Sequence, residues 1–268
     1  MDLSKIKMVV SDMDGTLLNS DHQVSDHFFN LFEELKKKNI QFVAASGRQY
    51  NSIIDKLKPI KDDIIVIAEN GGYVMRKNTE LLSTPLSKKH QKDVLGILNT
   101  VEDLYPVLCG KQNAYINGKS EAFVAKLREY YTEFEILDEL ENHTGEILKI
   151  AIYHFESSEA HIYPKVKHLE NELKVKVSGE NWLDISSPNA HKGYALQKLM
   201  DLYNIASDEI MVFGDYNNDL EMLALADVSV AMANAHSNVK AISNFETTSN
   251  DDLGVERFLE KLVSGQTN

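Results

Sequence analysis

The stretch Ile6-Lys7-Met8-Val9-Val10-Ser11-Asp12-Met13-Asp14-Gly15-Thr16 decides how this chain is to be read. Ile6 to Val10 is short and rich in branched apolar residues, the pattern of a strand covered on both faces within a parallel sheet. It runs into two aspartates two positions apart, followed by glycine. A polar turn is the plain account of Asp-Gly at a strand end. Asp12 and Asp14 also invite a chemical account, because side chains two apart on extended backbone point the same way. Two carboxylates held that close push one pKa up, as an acid working near neutrality requires.

Working outward, Ser25 caps a predicted helix carrying Phe28, Leu31, Phe32 and Leu35 at helical spacing, with Asn39 as its stop. The run Lys36 to Lys38 complements that helix's dipole. A second buried strand, Ile40 to Ala45, ends at Ser46-Gly47-Arg48. A short helix around Ile53 to Leu57 and a break at Pro59 lead to a third strand, Ile64 to Ala68, ending at Glu69-Asn70-Gly71-Gly72. Strand, helix, strand, helix, strand predicts an α/β fold with right-handed crossovers in a doubly wound parallel sheet. Ligands of such sheets sit outside the carboxyl ends of the strands, so three loops point to one place.

From about Pro85 to Ser187 the texture changes to alternating strands, such as Leu148 to Tyr153, and helices bearing lysine and glutamate. This predicts an inserted α+β domain, 85–187, with one wet face, interrupting a core formed by 1–84 and 188–268. Ile162, Val166, Leu169 and Leu173 predict a helix, with Pro164 confined to its first turn. After Pro188 the earlier rhythm returns: helix Ala195 to Tyr203, strand Ile210 to Phe213, helix Leu220 to Ala226, strand Val228 to Ala231.

The 268 residues are 43% hydrophobic and carry 28 basic against 41 acidic side chains, a formal charge of −13. That charge repels phosphate backbones and anionic lipid, which argues against nucleic-acid and membrane partners. A lone cysteine, Cys109, forms no intramolecular disulfide and reads as a small core residue. The apolar run before Asp12 is well short of a signal-peptide core, and no run approaches the roughly 18 apolar residues of a membrane span. A cytoplasmic protein, monomer or homodimer, is expected. The histidines show no His-Glu-x-x-His spacing, which argues against zinc. Tyr115, Tyr130, Tyr131 and Trp182 are expected to pack rather than to line a sugar site.

The remaining polar residues at strand ends complete a chemical set. Gly214-Asp215-Tyr216-Asn217-Asn218-Asp219 follows a strand and adds two carboxylates, and such oxygen-rich clusters suit Mg²⁺. Ser46 and Gly47, between a strand and a helix, offer a hydroxyl and backbone N–H groups to an anion. Lys192 brings a cation to the start of a helix. A carboxylate attacking a phosphate monoester approaches a dianion, and Mg²⁺ with a lysine offsets the repulsion. On this reading Asp12 is the nucleophile, forming an aspartyl-phosphate, and Asp14 is the acid and then the base. Ser46 and Lys192 hold the transferring oxygens, and Asp215 completes the metal site.

With these residues in view, the sequence resembles the haloacid dehalogenase superfamily of aspartate-nucleophile phosphatases. Asp12-Met13-Asp14-Gly15-Thr16 is similar to its first motif, Ser46 to its second, Lys192 to its third, and Gly214-Asp215 with Asn218-Asp219 to its fourth. The position of the insert is similar to the Cof-type branch with a large α+β cap. Asn70-Gly71, Ala231-Met232-Ala233-Asn234-Ala235 and Thr248-Ser249-Asn250-Asp251 match that branch as well. The resemblance implies a Rossmann-like core and a cap that closes over a small phosphate ester, most often a sugar phosphate. It implies Mg²⁺ held by Asp12, Asp215 and the backbone carbonyl of Asp14. It further implies that Asn218 binds the phosphate end of the substrate, while Asp219 and Thr16 support the site. Pro188-Asn189-Ala190-His191 departs from the branch before the lysine, so His191 is either a contact for the leaving group or incidental. Two rivals stay open: a sugar phosphomutase, which conserves the ester, and a phosphoacceptor signalling protein without turnover.

Overall fold

The computed structural model describes residues 3–111, 113–128 and 134–265. They divide into two compact units, one drawn from Met1–Leu82 and His191–Asn268, the other from Ser83–Ala190. Among the described residues no helix is long and apolar enough to cross a membrane.

The first unit begins β1 (Met8–Asp12), α1 (Asp26–Lys37), β2 (Gln41–Ala45), α2 (Tyr50–Lys56), β3 (Ile65–Ala68), β4 (Tyr73–Arg76) and β5 (Thr79–Ser83). Every residue of β1 is buried, as expected of a strand with a neighbour on each side and cover on both faces. The strand continues beyond the expected Val10 because Asp12 pairs with Ala45 of β2. Helix α1 forms where its apolar spacing places it: Ser25 Oγ accepts from Phe28 N at 3.0 Å, and Phe28, Leu31, Phe32 and Leu35 are buried. The Phe28 and Phe42 rings meet edge to face at 5.0 Å, tying the helix to β2.

The second unit contains α3 (Lys88–Leu98), β6 (Tyr105–Gly110), β7 (Ala114–Ile116), α4 (Glu121–Leu127), β8 (Phe134–Ile136), β9 (Ile147–Tyr153), α5 (Ser158–His161), α6 (Tyr163–Val166), β10 (Lys174–Val177) and β11 (Trp182–Ser186). Its sheet has the order β10-β11-β9-β6-β7-β8. The expected single wet face is absent from its centre. Leu108, Ile150 and Ile152 join one apolar cluster while Val107, Cys109, Ala151 and Tyr153 join another, so alternation along β6 and β9 buries both sides. Tyr115 and Trp182 pack against these clusters, and Tyr130 and Tyr131 lie outside the described residues. The helix expected over Ile162 to Leu173 is broken into the single turn α6 and a 3-10 segment, Lys167–Asn171. Pro164 lies in the first turn of α6, where its missing N–H costs no bond.

The chain then returns through α7 (Lys192–Tyr203), β12 (Ile210–Gly214), α8 (Leu220–Leu223), β13 (Val228–Ala231), α9 (Ser237–Ile242), β14 (Phe245–Glu246) and α10 (Gly254–Ser264). The resulting sheet has the order β14-β13-β12-β1-β2-β3-β4-β5. From β14 to β3 all neighbours are parallel, whereas β4 runs antiparallel to β3. The fold is thus the expected doubly wound α/β type with an antiparallel edge that strand-helix alternation did not foretell. The order reverses at β1, with β2 and β12 on either side. That is a topological switch point, where the carboxyl ends of such a sheet open a crevice.

Candidate active site

Register places the loops before any side chain does. Ser11 of β1 lies beside Ala44 of β2 and Phe213 of β12, so the residues that follow these strands emerge together. Asp12 ends β1, Ser46-Gly47 follows β2, and Asp215 follows β12.

At the centre, the Lys192 ammonium donates to Asp12 Oδ1 and, at 2.6 Å, to Asp219 Oδ1. Lys192 and Asp219 have no exposed surface and Asp12 keeps 5%. Lys192 opens α7, whose N-cap is His191: the ring Nδ1 accepts from Tyr194 N at 3.1 Å. A capping role is therefore visible for His191. Asp219 Oδ2 accepts from the backbone N–H groups of Asp215 and Tyr216 at 3.0 and 3.1 Å, so this carboxylate is both counter-ion and brace for its own loop. Thr16 Oγ1 donates to Asp215 Oδ1 at 3.2 Å. Gly15, at φ +78°, is needed here: a methyl group on it would stand 2.3 Å from Asp215 Oδ2.

Asp12, Asp215 and Asp219 each present an oxygen within 4.8 Å of the others. Three carboxylates facing one ammonium leave an excess of negative charge. Burial, reinforced by the charges of Asp219 and Asp215, lifts the Asp12 carboxyl well above the usual range despite Lys192. Burial and the Asp219 charge push Asp215 up to about 6. Burial alone would pull Lys192 down, but Asp12 and Asp219 hold it protonated. A hard divalent cation fits such a donor set and would relieve its repulsion. With Asp219 engaged by three N–H donors, Asp12 and Asp215 are the carboxylates best placed to hold it.

Asp14 is different from expectation. It lies beyond the end of β1, and Arg48 grips its carboxylate with two bonds, Nε to Oδ2 at 2.7 Å and Nη2 to Oδ1 at 2.6 Å. His22 Nδ1 stands 3.5 Å from Oδ1. Burial would raise this carboxyl, yet the Arg48 hydrogen bonds and charge, with His22 and Lys192, take it below the ordinary value. The expectation that the neighbouring aspartate would raise Asp14 is thus corrected: the strand turns, and a guanidinium intervenes. The Asp14 side chain is likewise outside the carboxylate cluster.

Ser46 is buried, and its hydroxyl accepts from Arg48 N at 3.1 Å. Asn70 lies over Gly47, and Asn218 Nδ2 donates to Asn70 Oδ1 at 3.1 Å. The residues expected to bind phosphate therefore gather around Asn70. Two asparagines far along the chain brace the loop after β1: Asn234 Nδ2 donates to Gly15 O at 2.8 Å and Asn250 Nδ2 to Leu18 O at 2.9 Å. Asp251 accepts from Ser20 N and Ser20 Oγ at 2.8 and 2.7 Å. Reading the sequence missed Arg48 and His22. Arg48 carries a signal, a cation directly after Ser46-Gly47 at a strand end; His22 carries none.

Comparison with known proteins places the chain in a family. The haloacid dehalogenase-like hydrolase family, Hydrolase_3, matches residues 9–259. The Escherichia coli 5-amino-6-(5-phospho-D-ribitylamino)uracil phosphatase YbjI is 31% identical over 261 residues, 96% of each chain. The Bacillus subtilis phosphatase YitU, which bears the same substrate in its name, is 26% identical and covers 97% of this chain and 99% of its own. The crystal structure of SMU.1108c from Streptococcus mutans aligns with a TM-score of 0.83 at 30% identity, over 97% of this chain and 99% of that one. The chain belongs to the haloacid dehalogenase-like hydrolase family, on its Cof-type phosphatase branch, and is a phosphoric monoester hydrolase.

Proposed function

We propose that the protein is a Mg²⁺-dependent phosphatase that hydrolyses small phosphate monoesters through a phosphorylated Asp12. The observation that carries the reading is the Asp12 carboxylate itself, buried at a strand end with Lys192 on one oxygen and Asp215 close by. Mg²⁺, held by Asp12 and Asp215, would offset negative charge on the incoming phosphoryl group.

The residues divide the work. The free Asp12 oxygen attacks phosphorus, the phosphorus–ester bond breaks, and the departing oxygen takes a proton from Asp14. Water then attacks phosphorus and gives its proton to Asp14, the bond from phosphorus to Asp12 breaks, and inorganic phosphate leaves. Lys192 keeps its proton throughout and screens the approach of one anion to another. Ser46, the Gly47 backbone and Asn218 take the phosphoryl oxygens. Asp14 needs its proton for the first half and its charge for the second, and Arg48 favours the charged form. Arg48 must therefore loosen before the leaving group departs.

The names of two relatives support a substrate class. YbjI and YitU are named for an ester whose phosphate sits on a ribityl chain, which supports a phosphorylated sugar or sugar alcohol here. The insert, 85–187, is assigned the choice of leaving group. The reading is tested by phosphate release from sugar, sugar-alcohol and nucleotide monoesters with added Mg²⁺. One phosphate freed per ester consumed is expected; a conserved ester would indicate a mutase. Asp12→Asn is expected to lower turnover by at least about 10⁴-fold with the melting temperature retained. Wild-type rates in that variant would overturn the assignment.

A further inference from the structure

Glu69, Asn70 and Gly71 follow β3 with φ of 51°, 54° and 100°. Successive left-handed residues bearing side chains are costly, and they persist where their surroundings over-determine them. Here the surroundings are the catalytic loops. Glu69 N donates to Arg48 O at 3.0 Å and Asn70 N to Ser46 O at 2.9 Å. The Asn70 carboxamide covers Gly47 so closely that a methyl group there would stand 3.0 Å from its Nδ2. Its Oδ1 accepts from Asn218 Nδ2. Gly71 lies on the backbone entering α7, where a methyl group would fall 2.3 Å from His191 O and 3.0 Å from Lys192 N. One tripeptide thus touches the loops after β2 and β12 and the first residue of α7.

We infer that Asn70 is a positioning residue for the phosphoryl group: its carboxamide locks the amide of Asn218 and the Gly47 backbone into one anion cradle. This rests on the phosphatase reading above. One Nδ2 hydrogen of Asn218 is committed to Asn70, which turns the other toward the incoming anion. The left-handed backbone is what lets a single side chain reach both loops.

The test uses the full chain with Mg²⁺ and inorganic phosphate as probe, so that binding is read apart from turnover. Asn70→Gly accepts the left-handed backbone and removes the whole side chain, carboxamide included; Asn70→Ala removes the carboxamide alone at the cost of backbone strain and serves as the second variant. Phosphate affinity by calorimetric titration is expected to fall about tenfold in N70G, in N70A and in N218A, the scale of one hydrogen bond to a charged group. Because the two amides act as a unit, the N70G/N218A double variant should also lose about tenfold rather than a hundredfold. In ester hydrolysis N70G should raise KM by a similar factor with a smaller change in kcat. Wild-type phosphate affinity in N70G, or losses that multiply in the double variant, would overturn the inference. Wild-type protein that binds phosphate but hydrolyses no ester would sink the phosphatase reading and leave this one standing. Wild-type protein that does neither would remove both.

Discussion

Two carboxylate–cation clusters lie close together and behave as opposites. In the Lys192 pairs with Asp12 and Asp219 the side chains keep 0%, 7% and 0% of their surface, whereas in Arg48–Asp14 they keep 28% and 42%. The first arrangement cannot trade its partners for water, so removing one partner strands a buried charge. The second faces solvent, where an ion pair is worth little and opens readily. Asp12, the proposed nucleophile, whose position must not drift, sits in the first. Asp14, the proposed acid and base, which would gain and lose a proton each turnover, sits in the second.

Removing Lys192 should have the largest effect on stability. Lys192→Met leaves Asp12 and Asp219 buried without their ammonium, and a loss of about 3–5 kcal/mol is expected from urea unfolding. A loss below about 1 kcal/mol would erase the contrast with Arg48. A smaller effect is expected from pH on the metal-free protein. The folded pKa of Asp215 is raised to about 6, so between the ordinary carboxylate value and about 6 the folded state holds the extra proton. Stability should therefore fall as pH rises through that window. Asp215→Asn should make this limb shallower, Asp12 supplying the remainder, and added Mg²⁺ should do the same; an unchanged slope in the variant would assign it elsewhere. Smallest is Arg48→Ala, for which at most about 1 kcal/mol is expected. Its sign with pH is the reverse. Asp14 is depressed by Arg48, so the pair contributes above the ordinary carboxylate range, and the contribution is lost as pH falls through the folded value. The acid side of the stability profile should thus shrink in R48A, and an unaltered profile would show the ion pair to be absent in solution.

What could be read from residues alone was whatever repeats along the chain. The stripe Phe28, Leu31, Phe32, Leu35 and the strand Val228–Ala231 stand where their periodicity put them, since one buried face is a local property. The aspartates, Ser46 and Lys192 were legible because strand ends in an alternating fold converge. The hairpin of β4 and β5 was not, because its turn at Lys77, φ 57°, carries no glycine. Nor was the broken helix after Ile162, where apolar spacing continues while the hydrogen-bond ladder does not. The charge state of Asp14 depends on a guanidinium 34 positions away, and no spacing rule spans that distance.

The braces on the loop after β1 come from the far end of the polypeptide. Asn250 and Asp251 anchor residues made more than 200 positions earlier. During synthesis, the loop after β1 therefore gains these bonds only once residues beyond position 249 have been made. A fragment ending before Asn250 would retain Asp12, Asp14, Asp215 and Asp219 and still lack the clasp on the loop that follows the first two.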